Sequence, residues 1–417
     1  MLLIDRIGEL LTMDSNGGKP IRGEMMALPG VMENAAIVVE GEKILDYGKR
    51  DDILKMYEDK ITDSVDAENC LVSPGLVDPH THAVFLGTRE NEFEMRIKGR
   101  TYMEIAKAGG GILDTMKGIR ETSEDILLKN SLLKFERMLS NGVTTVEVKS
   151  GYGLSTDSEL KMLNVIKRLR EFVPQDIVPT FLGAHEIPPE YRPDRKKDYI
   201  DLIVNEMIPR VADEKLAKFC DVFCEKDVFD IEDTGKILTA AKNHGLGLKM
   251  HADEIEPMGG TELGVSLGAR SVDHLGAISD FGIALVAQSE TAAVLLPGTT
   301  FFLGLEKYAP ARQLIGSGGI VALATDFNPG SSPTTNLPLI MSIACTQMKM
   351  TPAEVWTAST INAAYAVGLE IMLGSITKGK YADIVVWNAD NHRQVPYFYG
   401  EKLVNMVIKR GKVLWHK

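Results

Sequence analysis

The stretch LVSPGLVDPHTHAVFLGTRENEF, Leu71 to Phe93, contains an apolar run that ends at Asp78 and is followed at once by His80 and His82. Successive side chains of a strand point to opposite faces, so residues two apart share one. Both imidazoles therefore project into a single space at the end of a buried strand. Neighbouring imidazoles are suited to sharing a metal ion. The plainer reading is two polar residues leaving a sheet, because H-x-H by itself is a weak motif.

Working outward, the same plan recurs. Further strand-length apolar runs are GVTTVEVKSGYG near 142–153, DIVPTFLGAHE reaching His185, KFCDVFCEK ending near Glu225, LGLKMHADE with His251, ARSVDHL with His274, TAAVLLPGT, and GIVALATDFNPG with Asp326. Helix-like segments separate them, such as SEDILLKNSLLKFERMLSNG, which stops at Asn141-Gly142. Runs that are apolar throughout fit strands covered on both faces. Eight of them alternating with helices predict a (β/α)₈ barrel over 71–374, and in that fold catalytic groups come from the C-terminal ends of several strands. Residues 1–70 and 375–417 carry short strand-like pieces instead, including NAAIVVEGEKILDYG and LVNMVIKRGKVLWHK. They predict one small β-sandwich domain built from both termini.

Composition sets outer limits. The chain has 417 residues, 44% hydrophobic and 25% charged, with a net charge of -12. That balance suits a soluble globular protein and argues against general nucleic-acid or membrane-surface binding. No run of about 18 apolar residues is present, so no membrane span is expected. Asp5 and Glu9 stand where a signal peptide would need basic residues and an uninterrupted apolar core. Four cysteines (Cys70, Cys220, Cys224 and Cys345) are too few for a disulfide scaffold in a chain of this length, which favours a reduced, cytoplasmic setting. Cys220 and Cys224 read as buried thiols of a strand. The AGGGI stretch at 108–112 lacks the Lys-Ser/Thr ending of a phosphate-binding P-loop.

In such a barrel His80, His82, His251 and Asp326 converge from strands one, five and eight. Three nitrogens and a carboxylate suit zinc, and also iron, with a position left for water. Asp326 could accept that water's proton, and His274 could hydrogen-bond the water and the developing oxyanion. Taken singly, Asp326 reads equally well as the start of the turn completed by Asn328-Pro329-Gly330.

This order of ligands resembles the amidohydrolase superfamily, which pairs a barrel with a small β-domain made from the two termini. Some members hold two metals bridged by a carbamylated lysine of strand four. Lys226 is the nearest candidate here, with Glu225 or Cys224 as other bridges, while Lys149 on strand two is poorly placed. One metal per chain, Zn²⁺ or Fe³⁺, is expected. The loops HTHAVFLGTRENEFEMRIKGRTYMEIAKAGGGI, EVKSGYGL, FLGAHEIPPEY, KMHADEI, SVDHL and ATDFNPGSSPT together resemble the imidazolonepropionase family. That resemblance implies hydrolysis of the lactam C–N bond of 4-imidazolone-5-propanoate to N-formimidoyl-L-glutamate, the third step of histidine degradation, by a homodimer.

The same resemblance gives roles to the remaining residues. Arg89, otherwise an ordinary loop arginine, would grip the propionate bidentately. Tyr152 would offer a hydroxyl. His185 and Glu254 would hydrogen-bond the ring, with Glu254 handling a ring proton. Asn328, Gly330 and Ser331 would bind the carboxylate or the product. The competing readings are a related cyclic-amide hydrolase or an aromatic-base deaminase, for which a carboxylate clamp is superfluous, and a non-catalytic barrel scaffold, which would require missing ligands.

Overall fold

The computed structural model describes residues 1–15, 17–100, 104 and 110–416, with His416 described by its backbone alone. Part of the glycine-rich stretch at 108–112 therefore lies outside the described residues.

The described residues form two eight-stranded sheets. One is the expected barrel: β1 (Leu76–Asp78), β2 (Val143–Lys149), β3 (Asp176–Ala184), β4 (Phe219–Cys224), β5 (Gly247–Ala252), β6 (Ser271–His274), β7 (Ala292–Leu295) and β8 (Ile320–Leu323). Each strand pairs in parallel with the next. Their residues are almost all buried, which is why they read as unbroken apolar runs. Helices cover the outside. The helix Glu124–Ser140 starts where the Ser123 hydroxyl accepts from Ile126 N and ends at Asn141, as its stop signal predicts.

Closure of the barrel also assembles the site. A parallel bridge joins Thr81 to Phe327. Beside it Asp326 N donates to His80 O at 3.1 Å, and His82 N donates to Phe327 O at 3.0 Å. The backbone bonds that shut the sheet thus set His80, His82 and Asp326 side by side.

The second sheet contains both termini. In spatial order it runs Lys412–His416, Val404–Lys409, Ile384–Trp387, Leu71–Pro74, Leu2–Leu11, Val31–Glu40 and Lys43–Lys49, with Asp63–Asp66 added beside Leu2–Leu11. The expected small β-domain is built as one continuous mixed sheet whose two halves share a core: Ile4, Ile37 and Val39 pack with Ile384, Val386 and Ile408. Leu71–Pro74, at the expected start of the barrel, pairs in this sheet with Leu2–Leu11 and Ile384–Trp387, and the chain crosses to the barrel at Gly75.

Strand alternation lets Ile384–Trp387 serve two cores. Ile384 and Val386 face the small core, while Val385 and Trp387 enter the barrel's core. Trp387 lies edge-on to Trp356 at 5.3 Å and donates its indole N–H to Ser73 Oγ at 2.8 Å. Lys409 Nζ adds a buried tie, donating to Asp176 and Asp383 at 2.6 Å each. Because Trp387 is fully buried in this seam, Trp387→Ala is expected to cost about 3–5 kcal/mol. Denaturant unfolding checks this, and a loss under about 1 kcal/mol would show that the seam relaxes around the missing ring.

Candidate active site

Five histidines and an aspartate gather at the C-terminal mouth of the barrel. The His80 ring lies 4.5 Å from His251, 5.4 Å from His82 and 5.4 Å from His274, centroid to centroid. Asp326 Oδ1 sits 3.5 Å from Nε2 of both His80 and His82. His80, His82 and His251 offer ring nitrogens within 4.8 Å of one another, and so do His80, His274 and Asp326 through one ligand atom each. Nε2 of His80, Nε2 of His251 and Nδ1 of His82 are buried with no hydrogen-bond partner. Buried polar atoms are ordinarily paired, so the orphaned Nε2 of His80 and of His251, beside the His82 Nε2 that faces Asp326, fit a metal ion. His274 and Asp326 also have left-handed φ angles of 80° and 52°. For non-glycine residues that conformation costs on the order of 1–3 kcal/mol and tends to persist at functional sites.

Beneath the histidines lies a charged layer that reading the sequence missed. His80 Nδ1 is 2.6 Å from Asp273 Oδ2, and His251 Nδ1 is 3.0 Å from Asp221 Oδ1. With Nδ1 committed to a carboxylate, each Nε2 is turned towards the cluster, the usual support of a metal-binding imidazole. Lys149 Nζ donates to Asp221 at 2.7 Å and Glu147 at 2.8 Å, and Lys249 Nζ donates to Pro79 O at 2.7 Å. All of these side chains are wholly buried. Burial opposes the charge on Lys149, but Asp221, Glu147 and Asp273 outweigh it and hold the ammonium protonated. The signal was present in the strands: VEVK, CDV, LKMH and VDH each place a charge at an inward-facing position of an otherwise apolar run.

The bridges considered for a second metal do not form. β4 turns Asp221 inward, not its neighbours, because side chains alternate. Glu225 accepts from the amides of Lys226 and Ile255. Lys226 is exposed and faces Glu256 at 3.8 Å. The Cys224 sulfur packs against Gly260. Lys149 lies under the histidines, but as an ammonium it has no lone pair with which to take up carbon dioxide.

The substrate side of the cleft is aromatic. His185 stacks on His82 at 4.9 Å and 15°, and its Nδ1 is 2.9 Å from Gly151 O. Tyr152 lies 5.3 Å from His185 and 5.7 Å from His82. Burial, then the charge of His251, pushes His185 down to about 3, so it is neutral. Burial pushes Asp326 up to about 6. Burial, then the charge of Asp326, pushes Glu254 up to about 8, and its carboxyl lies 3.5 Å from His274 Nδ1.

Arg89 precedes the helix Glu90–Ile97 and donates from Nε and Nη2 to Glu92 at 2.8 and 2.7 Å. Its Nη1 lies over Gly330, where a Cβ would come within 2.2 Å. Only glycine leaves room for the guanidinium there. The donors expected to meet a carboxylate are largely committed to the loop itself. Asn328 Oδ1 accepts from the amides of Gly330 and Ser331 at 2.8 Å each, and Asn328 Nδ2 donates to Asp326 O at 2.7 Å and Ser331 Oγ at 2.9 Å. An Asx-type turn satisfies these groups locally, so Asn328 holds in shape the loop that follows Asp326.

A model of the Amidohydrolase family matches residues 71–414. The imidazolonepropionase of Geobacillus thermodenitrificans (strain NG80-2) is 49% identical over 415 residues, covering 99% of this chain and 97% of that protein. That of Shouchella clausii (strain KSM-K16) is 48% identical over 417 residues, covering 99% and 93%. Among solved structures, atrazine chlorohydrolase TrzN from Arthrobacter aurescens TC1 complexed with zinc has a TM-score of 0.69 at 15% identity over 100% of this chain and 95% of that one. An adenosine deaminase from Xanthomonas campestris with bound zinc has a TM-score of 0.70 at 17% identity over 99% and 92%; identities this low speak for the fold alone. By the family model and by relatives of nearly half identity along almost its whole length, this chain belongs to the amidohydrolase family and, within it, to the imidazolonepropionases.

Proposed function

We propose that this chain hydrolyses 4-imidazolone-5-propanoate to N-formimidoyl-L-glutamate, with one zinc or ferric ion per chain held by His80, His82, His251 and Asp326. The observation that carries the reading is the cluster of orphaned imidazole nitrogens beside Asp326, in a chain whose near-full-length relatives are imidazolonepropionases. We also expect a cytoplasmic homodimer; among the described residues no helix is long and apolar enough to cross a membrane.

A metal bound there supplies Lewis acidity, polarising the lactam carbonyl and acidifying water. The chain's own groups do the rest. Asp326, mostly ionised at neutral pH, accepts a proton from the attacking water as its oxygen bonds to the carbonyl carbon. His274 donates towards the oxygen where negative charge develops. Glu254 still holds its proton at neutral pH and delivers it to the ring nitrogen as the C–N bond breaks. Arg89 and Tyr152 hold the propionate, and His185 orients the ring against His82. Gly330 admits the Arg89 guanidinium, and Asn328 and Ser331 keep the loop beneath it in place for carboxylate and product.

Asp326→Asn is expected to lose turnover by at least the roughly 10²–10⁴-fold that general acid–base catalysis contributes. The assay generates the substrate in place by a coupled reaction, and retention of a tenth of wild-type activity would remove Asp326 from the mechanism. Arg89→Ala is expected to lower kcat/KM about ten- to hundredfold, the equivalent of one charge-assisted hydrogen bond. The deficit should shrink for an analogue lacking the carboxylate; an equal deficit with both compounds would favour the aromatic-base deaminase instead. Asp221→Asn should weaken zinc retention about ten- to hundredfold, because it loosens His251. Chelator competition measures this, and unchanged retention would mean that Asp221 serves the ion network alone.

A further inference from the structure

The loop that carries Tyr152 is gripped along both edges by two side chains from outside it. Glu159, on the helix Thr156–Leu169, is wholly buried. Its Oε2 accepts from Gly151 N at 3.0 Å, and its Oε1 accepts from Gly153 N at 2.7 Å and Leu154 N at 2.9 Å. From the other side Arg120, on the helix Ile112–Glu121, donates Nε to Gly153 O at 2.9 Å and Nη2 to Leu154 O at 2.8 Å. Amide donors face the acid and carbonyl acceptors face the base, so each charged side chain meets the backbone groups complementary to it. The fit is close: a Cβ on Gly153 would lie 2.5 Å from Glu159 N. Leu154, at the end of the grip, has a left-handed φ of 51°. Gly151 O in turn faces His185 Nδ1, so the segment also orients the ring stacked on His82.

We infer that Glu159 and Arg120 are positioning residues for substrate binding, setting the Tyr152 hydroxyl and the His185 ring through the loop they clamp. Neither touches the histidine cluster, and both act on how the substrate is held rather than on the bond that breaks. The inference rests on the reading of Tyr152 as a substrate-binding residue. In Glu159→Gln one carboxylate oxygen becomes an NH₂ facing amide donors, so the loop shifts without a large change in volume.

The test measures KM, kcat and the thermal unfolding midpoint for Glu159→Gln, Tyr152→Phe and the double variant, all as full-length metal-loaded protein. Glu159→Gln is expected to raise KM about tenfold, the equivalent of one lost buried hydrogen bond, with a much smaller change in kcat. In the Tyr152→Phe background its effect on KM should fall at least about threefold, because sites that act as one unit are not additive. A Glu159→Gln protein with a lower midpoint but unchanged KM, or with the same KM effect in both backgrounds, overturns the inference. If Tyr152→Phe by itself leaves KM unchanged, the reading of Tyr152 fails first and takes the inference with it. Should Glu159→Gln not fold, Arg120→Gln on the opposite edge is expected to give the same KM pattern and is judged by the same outcomes.

Discussion

The pairing of Lys149 with Asp221 and Glu147, under the histidines, is the interaction on which the site depends. Two ammonium groups, Lys149 and Lys249, lie among the carboxylates of Glu147, Asp221 and Asp273, with none of the five exposed. Isolated charges at this depth would be prohibitive, and an ion pair repays its desolvation only when the remaining donors and acceptors are also satisfied. Here the arrangement does more than cancel charge. Asp221 turns Oδ2 to Lys149 and Oδ1 to His251, while Asp273 Oδ2 lies between His80 and the two ammonium groups, so the ion network determines where the imidazoles point. Negative charge still predominates once Asp326 above is counted, which is the electrostatic setting a metal cation requires.

This layer explains why a barrel interior so rich in charge is compatible with a stable fold. The charged positions are inward-facing residues of β2, β4, β5 and β6 one layer below the histidines, while most other residues of those strands and the packed faces of the surrounding helices are buried. The terminal sheet shields a separate part of the molecule. It shares Ile384–Trp387 with the barrel, one side of that strand in each core. The small domain is thus fastened through side chains that a strand of alternating purpose supplies to both.

The cleft above is built from loops that are rigid for local reasons. Asn328 closes its own turn, Glu159 and Arg120 bind the Tyr152 segment, and Lys134 donates to the carbonyls of Ala83 and Phe85 just after His82. In each case a polar side chain satisfies the backbone groups that a loop leaves unpaired. The residues nearest the substrate can then be few, because others hold them.

Much of this was legible in the amino-acid sequence. Unbroken apolar runs, each ending in a polar residue and separated by helical segments, follow from burial on both faces of a parallel sheet, and that pattern belongs to the sequence. So does the spacing of His80 and His82, since strand geometry alone puts them on one face. The charged layer was legible only in outline. Lys149, Asp221 and Asp273 stand out as charges in apolar strands, but their partners come from strands far apart in the chain, and pairing across the barrel interior is a property of closure. On β4 the alternation of the strand turns Asp221 inward and Cys224 away, whereas Glu225 and Lys226 lie beyond the strand's end and find partners in the next loop, which only the tertiary structure shows. The turn at Asn328-Pro329-Gly330 was legible as local chemistry, but that Asn328 spends its side chain on the amides of Gly330 and Ser331 instead of on a ligand is visible only in the folded loop.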